Sequence, residues 1–301
     1  MPLADHLTIA PEVTFGASPV ALETTAIAHG LPYPRNLDVA ARIEAAVRVA
    51  GATPAWCGVL DGRLRVGLSW EEIEQFAKGG DLPKVSRRDF APLVACGGSG
   101  ATTVAGTMIL AQAAGVAVFA TGGLGGVHRE VAESLDISAD LAELARTPVA
   151  VVCSGAKSIL DLPKTGEALE TLGVPVVGYG TDHFPAFQVL SSGLPVDCRA
   201  DTAEEAAAVI RAQRSLGLGG VVIGVPVPAE EALPAAEVEA WVDQATADAR
   251  SEGVRGKQIT PYLLKRLAEL SQGKTLSTNI ALLENNAAVA AEIAVALDRS
   301  D

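Results

Sequence analysis

The chain has 301 residues, enough to bury one large core. Hydrophobic residues make up 49% but aromatics only 4%, so Ala, Val, Leu, Ile and Gly must build the interior, which favours helices packed closely on a sheet. With 23 Lys+Arg against 36 Asp+Glu the net charge is −13 and no basic run offsets it, so nucleic acid is set aside as a partner and an anionic substrate would need a local basic pocket.

The first ten residues lack a basic region followed by a long apolar stretch, and no later segment reaches about 18 uninterrupted apolar residues. A cytoplasmic protein without membrane contact is therefore expected. Residues 1–20 carry prolines and little periodicity, as an arm over the body or a neighbouring subunit would. Helical patterns follow at Ala21 to His29 and at Leu37 to Ala50, the second with Asn36 as N-cap. Ala55 to Leu60 and Arg63 to Leu68 predict a small β-hairpin, with Asp61-Gly62 supplying the positive backbone angles of a type I′ turn. Ser69 and Glu72 form a capping box for a helix running to about Ala77.

From residue 90 onward, apolar strands, Gly-rich loops and helices alternate. Leu93 to Cys96 reads as a strand leading through Gly97-Gly98-Ser99-Gly100 into a helix ending near Gly115. Val116 to Ala120 leads into Thr121-Gly122-Gly123-Leu124-Gly125-Gly126, and Val149 to Cys153 into Ser154-Gly155-Ala156 and another helix. Val174 to Gly178 and Val221 to Val225 are further strands, with a helix capped by Thr202 and Glu205 between them. The tail from Pro261 reads as two helices, the last from Ser277 to about Leu297. This order predicts a single α/β domain over 1–301, built on a largely parallel sheet covered on both faces, with ligands beyond the carboxyl ends of the strands. Cys57, Cys96, Cys153 and Cys198 show no paired or zinc-ligand spacing and read as reduced core residues.

Among the lysines, Lys157 stands apart. It follows an apolar strand and a Ser-Gly-Ala turn, at the expected first turn of a helix, where burial and the positive helix end would favour a neutral amine able to attack a carbonyl. On position alone it reads more readily as a lysine reaching solvent. Lys84-Val85-Ser86-Arg87-Arg88-Asp89 is the strongest basic cluster and suits either a phosphate or a solvated loop. Neither Gly98-Ser99-Gly100 nor Gly273-Lys274-Thr275 has the glycines of a dinucleotide or P-loop motif. Asp136, Ser138 and Asp140, at alternate positions, suit a hard cation if the segment is extended, and Ser138 equally suits a helix N-cap. Glu23, in an apolar segment, is a candidate proton donor or a surface glutamate. His29, His128 and His183 form no metal triad.

Taken together, several runs resemble the pseudouridine-5′-phosphate glycosidase family, also known as the indigoidine synthase A family. They are Ala21–Thr25, His29–Pro32, Lys84–Asp89, Gly100–Val104, Thr121–Arg129, Asp136–Leu141, Cys153–Asp161 and Thr278–Ile280, in order from about residue 10 to residue 297. The resemblance implies a three-layer α/β/α sandwich, a homotrimer and one Mn²⁺ ion per subunit. It also implies reversible cleavage of pseudouridine 5′-phosphate, a small-molecule substrate, to uracil and ribose 5-phosphate. By matched position, Lys157 resembles the family nucleophile, Glu23 its proton donor and Asp136 its metal ligand. Lys84, Val104, Ser138, Ala139 and Asp140 resemble substrate contacts, to which Thr121, His128 and Asn279 are added.

The bond to be broken joins C1′ of ribose to C5 of uracil, and a carbon leaving group departs less readily than the oxygen of an ordinary glycoside. The expectation is that Glu23 protonates the ring oxygen, the ribose opens, and Lys157 captures C1′ as an imine while C5 is protonated and released. Two alternatives stand beside it: a Schiff-base, aldolase-like lyase acting on another sugar phosphate, and a non-catalytic metabolite-binding protein of the same fold.

Overall fold

The structure is a computed structural model that describes residues 3–79, 82–254 and 256–299. The first elements are β1 (Leu7–Ile9) and α1 (Pro11–Phe15), so much of the expected arm is built into the body, while residues 1 and 2 lie outside the described residues. Next come β2 (Pro19–Glu23), α2 (Thr25–Ala28) and α3 (Arg35–Val49). The expected helix from Ala21 is thus corrected to a strand followed by one helical turn. Val20, Ala21 and Leu22 are buried, with successive side chains entering opposite faces of the sheet, and a doubly covered strand carries no polar face to betray its period. Asn36 is likewise not the N-cap of α3, a place held by Pro34. It is buried inside the first turn, where its amide donates to the carbonyls of Ile27 (3.0 Å) and Ala77 (2.6 Å).

The hairpin of β3 (Thr53–Leu60) and β4 (Arg63–Val66) follows as expected, turning at Asp61 and Gly62 with φ of 49° and 71°. α4 (Trp70–Lys78) carries the Ser69–Glu72 capping box. After β5 (Lys84–Val85), the expected strand at Leu93–Cys96 is instead part of α5 (Phe90–Cys96), ended by Gly97 at φ 67°. Four apolar residues do not distinguish the two structures, and a reciprocal Ser86–Asp89 cap upstream favours the helix. β6 (Gly100–Thr102), α6 (Val104–Ala113), β7 (Val118–Ala120), α7 (Val131–Ser134), α8 (Ala139–Leu144) and β8 (Ala150–Cys153) come next. Beyond β8 lie α9 (Leu162–Thr171), β9 (Val176–Tyr179), β10 (Cys198–Ala200), α10 (Ala203–Ser215) and β11 (Val221–Gly224). Three helices close the chain: α11 (Ala235–Ser251), α12 (Ile259–Leu270) and α13 (Lys274–Asp298).

One sheet runs in the order β1-β4-β3-β2-β7-β8-β11-β9-β10, with β6 pairing β3 and β5. Its ladders are parallel except where β3 meets β4 and β6. Alternate strand residues feed two cores. Phe119, Val151 and Val222 face α6, α8, α11 and α12, while Val118, Val152 and Ile223 face α3, α4, α10 and α13. The result is the expected α/β/α sandwich. α13 is long and apolar enough to cross a membrane by length and composition, and it packs here in the core against α3, α10 and β7. The cysteine expectation is half corrected: Cys57 and Cys153 are buried, Cys96 and Cys198 are exposed, and all four are free.

Candidate active site

Because β2, β7 and β8 are parallel neighbours, their carboxyl ends open on one edge of the sheet. Glu23 ends β2, Thr121 follows β7, and Lys157 lies four residues beyond β8. The loops after β7 and β8 continue to pair past the strands, with Leu124 N–H donating to the Gly155 carbonyl (2.9 Å) and Lys157 N–H to that of Leu124 (3.1 Å). Gly155 permits this path: its φ is 79°, and a Cβ there would lie 1.9 Å from the Pro185 carbonyl oxygen. A cleft of about 1080 Å³ opens at this edge, and its wall includes Glu23, Lys84, Val104, His128, Asp136, Ser138, Ala139, Asp140 and Lys157. Nine of the eleven residues singled out in the sequence thus share one cavity.

Lys157 is half-buried in a loop, not in the first turn of a helix as expected, because the following helix starts only at Leu162 with Asp161 as its N-cap. No positive helix end therefore bears on its amine. Lys78, Lys164 and Lys274 each pair with a carboxylate on the surface, whereas among the described residues no carboxylate lies within 4.0 Å of the Lys157 amine. Among the described residues Lys84 and the exposed Lys265 also lack such a partner, and the Lys84 ammonium is pushed down to about 8 by burial, then by Lys157, against the pull of Glu23 and Asp140. Burial lowers His128 as well, with Asp136 opposing the shift and Lys157 adding to it. Burial and then Lys84 lower His29, whose Nε2 contacts the Leu82 carbonyl at 2.9 Å.

Glu23 is only 7% exposed, and both carboxylate oxygens accept hydroxyl hydrogen bonds, Oε1 from Thr121 and Oε2 from Thr25. Thr121 itself does not line the cleft; it holds the proton-donor candidate from behind. Its carbonyl accepts from Asn286 Nδ2 at 2.9 Å, and that amide also exchanges hydrogen bonds with Ser154, so α13 ties together the ends of β7 and β8. Asn279 likewise lies outside the cleft wall, its Oδ1 accepting from Gln188 Nε2 at 2.8 Å.

The alternate trio does not converge on one point. Asp140 Oδ1 accepts from Ala105 N–H and Oδ2 from Gly125 N–H, both at 2.9 Å, so both its oxygens serve the backbone. Ser138 Oγ caps α8 by accepting from Asp140 N–H. A side chain at Gly125 would meet Ser138 Oγ at 2.2 Å, which is why the backbone can approach so closely there. Among the described residues no group of three His, Cys, Asp or Glu is arranged to hold a metal ion. Asp136 supplies one partly exposed carboxylate on the cleft wall, with the His128 ring 3.8 Å away. A donor set of that kind suits a hard divalent cation that keeps most of its waters.

The basic run divides. Arg87 Nε and Nη2 donate to the buried carboxylate of Glu143 at 2.8 and 2.6 Å, while Arg88 is exposed at the cleft wall. Thr25 and Asn286 were not singled out in the sequence. The first offers no signal beyond its nearness to Glu23, whereas an amide inside an apolar helix is a readable one.

Residues 9–296 match the family described as indigoidine synthase A like protein. A curated relative from Sorangium cellulosum, named pseudouridine-5′-phosphate glycosidase, is 55% identical over 99% of this chain and 95% of its own length. Another of that name, from Methylobacterium nodulans, is 54% identical over 97% of this chain and 88% of its own. Among solved structures, the prealnumycin C-glycosynthase AlnA in complex with ribulose 5-phosphate superposes with a TM-score of 0.90 at 42% identity, covering 98% of this chain and 97% of that one. An indigoidine synthase A-like protein from Thermotoga maritima gives 0.90 at 37% identity, covering 97% of each.

Proposed function

The chain belongs to the indigoidine synthase A-like family, and from that premise we propose that it cleaves the carbon–carbon glycosidic bond of pseudouridine 5′-phosphate to uracil and ribose 5-phosphate. The observation that carries this reading is one cleft bordered both by Lys157, which has no carboxylate partner among the described residues, and by a carboxyl held on two hydroxyls, Glu23. Glu23 passes a proton to the ribose ring oxygen as the C1′–O bond breaks, and the Lys157 amine bonds to C1′ and gives up a proton to the Glu23 carboxylate, from which C5 can be protonated. Protonation at C5 then lets the C1′–C5 bond break, its electron pair returning to the uracil ring. The lysine nitrogen lone pair forms the iminium, and water hydrolyses that iminium to release the sugar phosphate. An opened pentose is supported by the solved relative, since ribulose 5-phosphate has its 5-oxygen esterified and cannot close a five-membered ring.

The phosphate is assigned to Lys84 and Arg88, because Arg87 is committed to Glu143. Asp136 is assigned a hydrated Mn²⁺ ion, which when bound supplies positive charge through its waters. Asp136→Asn should weaken Mn²⁺ binding in calorimetry, and unchanged affinity would remove this assignment. A homotrimer in the cytoplasm completes the reading.

Release of uracil from pseudouridine 5′-phosphate, followed by chromatography, tests the function. The wild-type protein should release it and Lys157→Ala should not. Turnover of other sugar phosphates without any uracil release would favour the aldolase-like alternative.

A further inference from the structure

We infer that Gln188 is a positioning residue for Lys157, acting through the hydroxyl of Ser158, an inference that rests on the Schiff-base reading above. Gln188 lies between β9 and β10, is 1% exposed and is absent from the cleft wall. Its amide is fully used. Oε1 accepts from Ser158 Oγ at 3.2 Å, and Nε2 donates to Asn279 Oδ1 at 2.8 Å and to the Thr275 carbonyl at 3.1 Å. Its main chain is fixed too, since the Leu233 N–H donates to its carbonyl at 2.9 Å. The preceding Phe187 adopts φ 62°, rare for an aromatic residue, and its N–H donates to the Ser154 carbonyl at 2.7 Å. This segment therefore grips the loop carrying Lys157 on both sides of that residue.

Ser158 is 7% exposed and is held from a second direction. Its carbonyl accepts from Arg129 Nη2 at 3.3 Å, and Arg129 is bound in turn to Glu239 of α11. Ser158 thus joins α13, through Gln188, to α11, through Arg129. Hydrogen bonds from Lys157 N–H and to its carbonyl fix the main chain at the nucleophile, and the Ser158 link fixes the peptide plane that follows. A lysine has four rotatable side-chain bonds, so the direction in which it leaves the main chain decides what its amine can reach. An apolar side chain could fill the Gln188 site without the desolvation that a buried amide incurs, so packing alone does not call for glutamine there. Asn279 is the far anchor of this link, bearing on Lys157 from outside the cleft wall.

The test is the single-turnover rate of borohydride-trapped adduct formation with ribose 5-phosphate, for the wild type, Ser158→Ala, Gln188→Leu and the double variant. Each single variant should trap roughly tenfold more slowly, a loss smaller than the roughly hundredfold that a 1 Å misplacement of a reacting group can cost. The sugar phosphate concentration giving half the maximal rate should stay unchanged, and the double variant should be no slower than the slower single one. If Gln188→Leu does not fold, Ser158→Ala decides. A wild-type rate in folded Ser158→Ala, or losses that multiply in the double variant, overturns the inference while leaving the Schiff base intact. If the wild type itself forms no adduct on Lys157, the Schiff-base reading fails and this inference falls with it.

Discussion

Lys84 shares its cleft wall with Lys157, and burial first, then that neighbour, lowers Lys84 to about 8. The ammonium is therefore present below about 8 and lost above it, and with it the charge proposed to hold the phosphate. The kcat/KM for pseudouridine 5′-phosphate should fall as pH rises through about 8, and Lys84→Arg, which stays charged, should move that limb upward; an unmoved limb assigns it to another group. The same lowering means that the folded chain binds fewer protons than the unfolded one between about 8 and the ordinary 10.5, so this group's share of stability rises with pH across that window. Glu23→Gln keeps the size of the side chain but removes its proton, and kcat should drop by about 10²–10⁴-fold with the fold intact by circular dichroism. Turnover near the wild-type rate would take Glu23 out of the mechanism. The sequence made Glu23 visible as a carboxyl inside an apolar segment, read there as helical, and Lys157 as a lysine following an apolar strand and a Ser-Gly-Ala turn. It could not disclose that Thr25 and Thr121 hold the carboxyl, because Thr121 reaches it only once β2 and β7 are paired.

At the scale of elements, Asp140 links pieces that are distant in the chain. Its carboxylate satisfies the N-terminal turn of α6 through Ala105 and the Gly-rich loop after β7 through Gly125. Asp140→Ala leaves two backbone N–H groups without that acceptor and should cost about 3 kcal/mol, read as a lower denaturation midpoint at unchanged m-value. Asp140→Asn keeps one acceptor and should cost less. If the alanine variant is as stable as the wild type, the carboxylate is not what joins the loop to the helix. The alternation of Asp136, Ser138 and Asp140 suggested three ligands facing one way. The chain instead turns into α8 at Ser138, and a capped helix aims side chains differently from an extended strand. The same limit explains the two mistaken elements: β2 and α5 are short apolar runs whose surroundings, not their periodicity, decide their form. Elements with chemical punctuation, such as the Asp61-Gly62 hairpin and the helices capped by Ser69, Ser138 and Thr202, were legible.

For the whole molecule, the parallel order of β2, β7 and β8 gathers residues from across the chain at one sheet edge, and α13 locks that edge through Asn286. This convergence makes an amine lying 134 positions beyond Glu23 part of the same cavity wall. The sandwich could be read from the strand and helix order, whereas the strand neighbours, and hence the shared cleft, required the fold. The central claim is that the Lys157 amine bonds to the anomeric carbon of an opened pentose phosphate. Peptide mapping by mass spectrometry after borohydride reduction in the presence of ribose 5-phosphate tests it most directly. One reduced pentose phosphate is expected on the peptide bearing Lys157 and none in Lys157→Ala; modification of Lys84 instead, or of no lysine, would refute that bond.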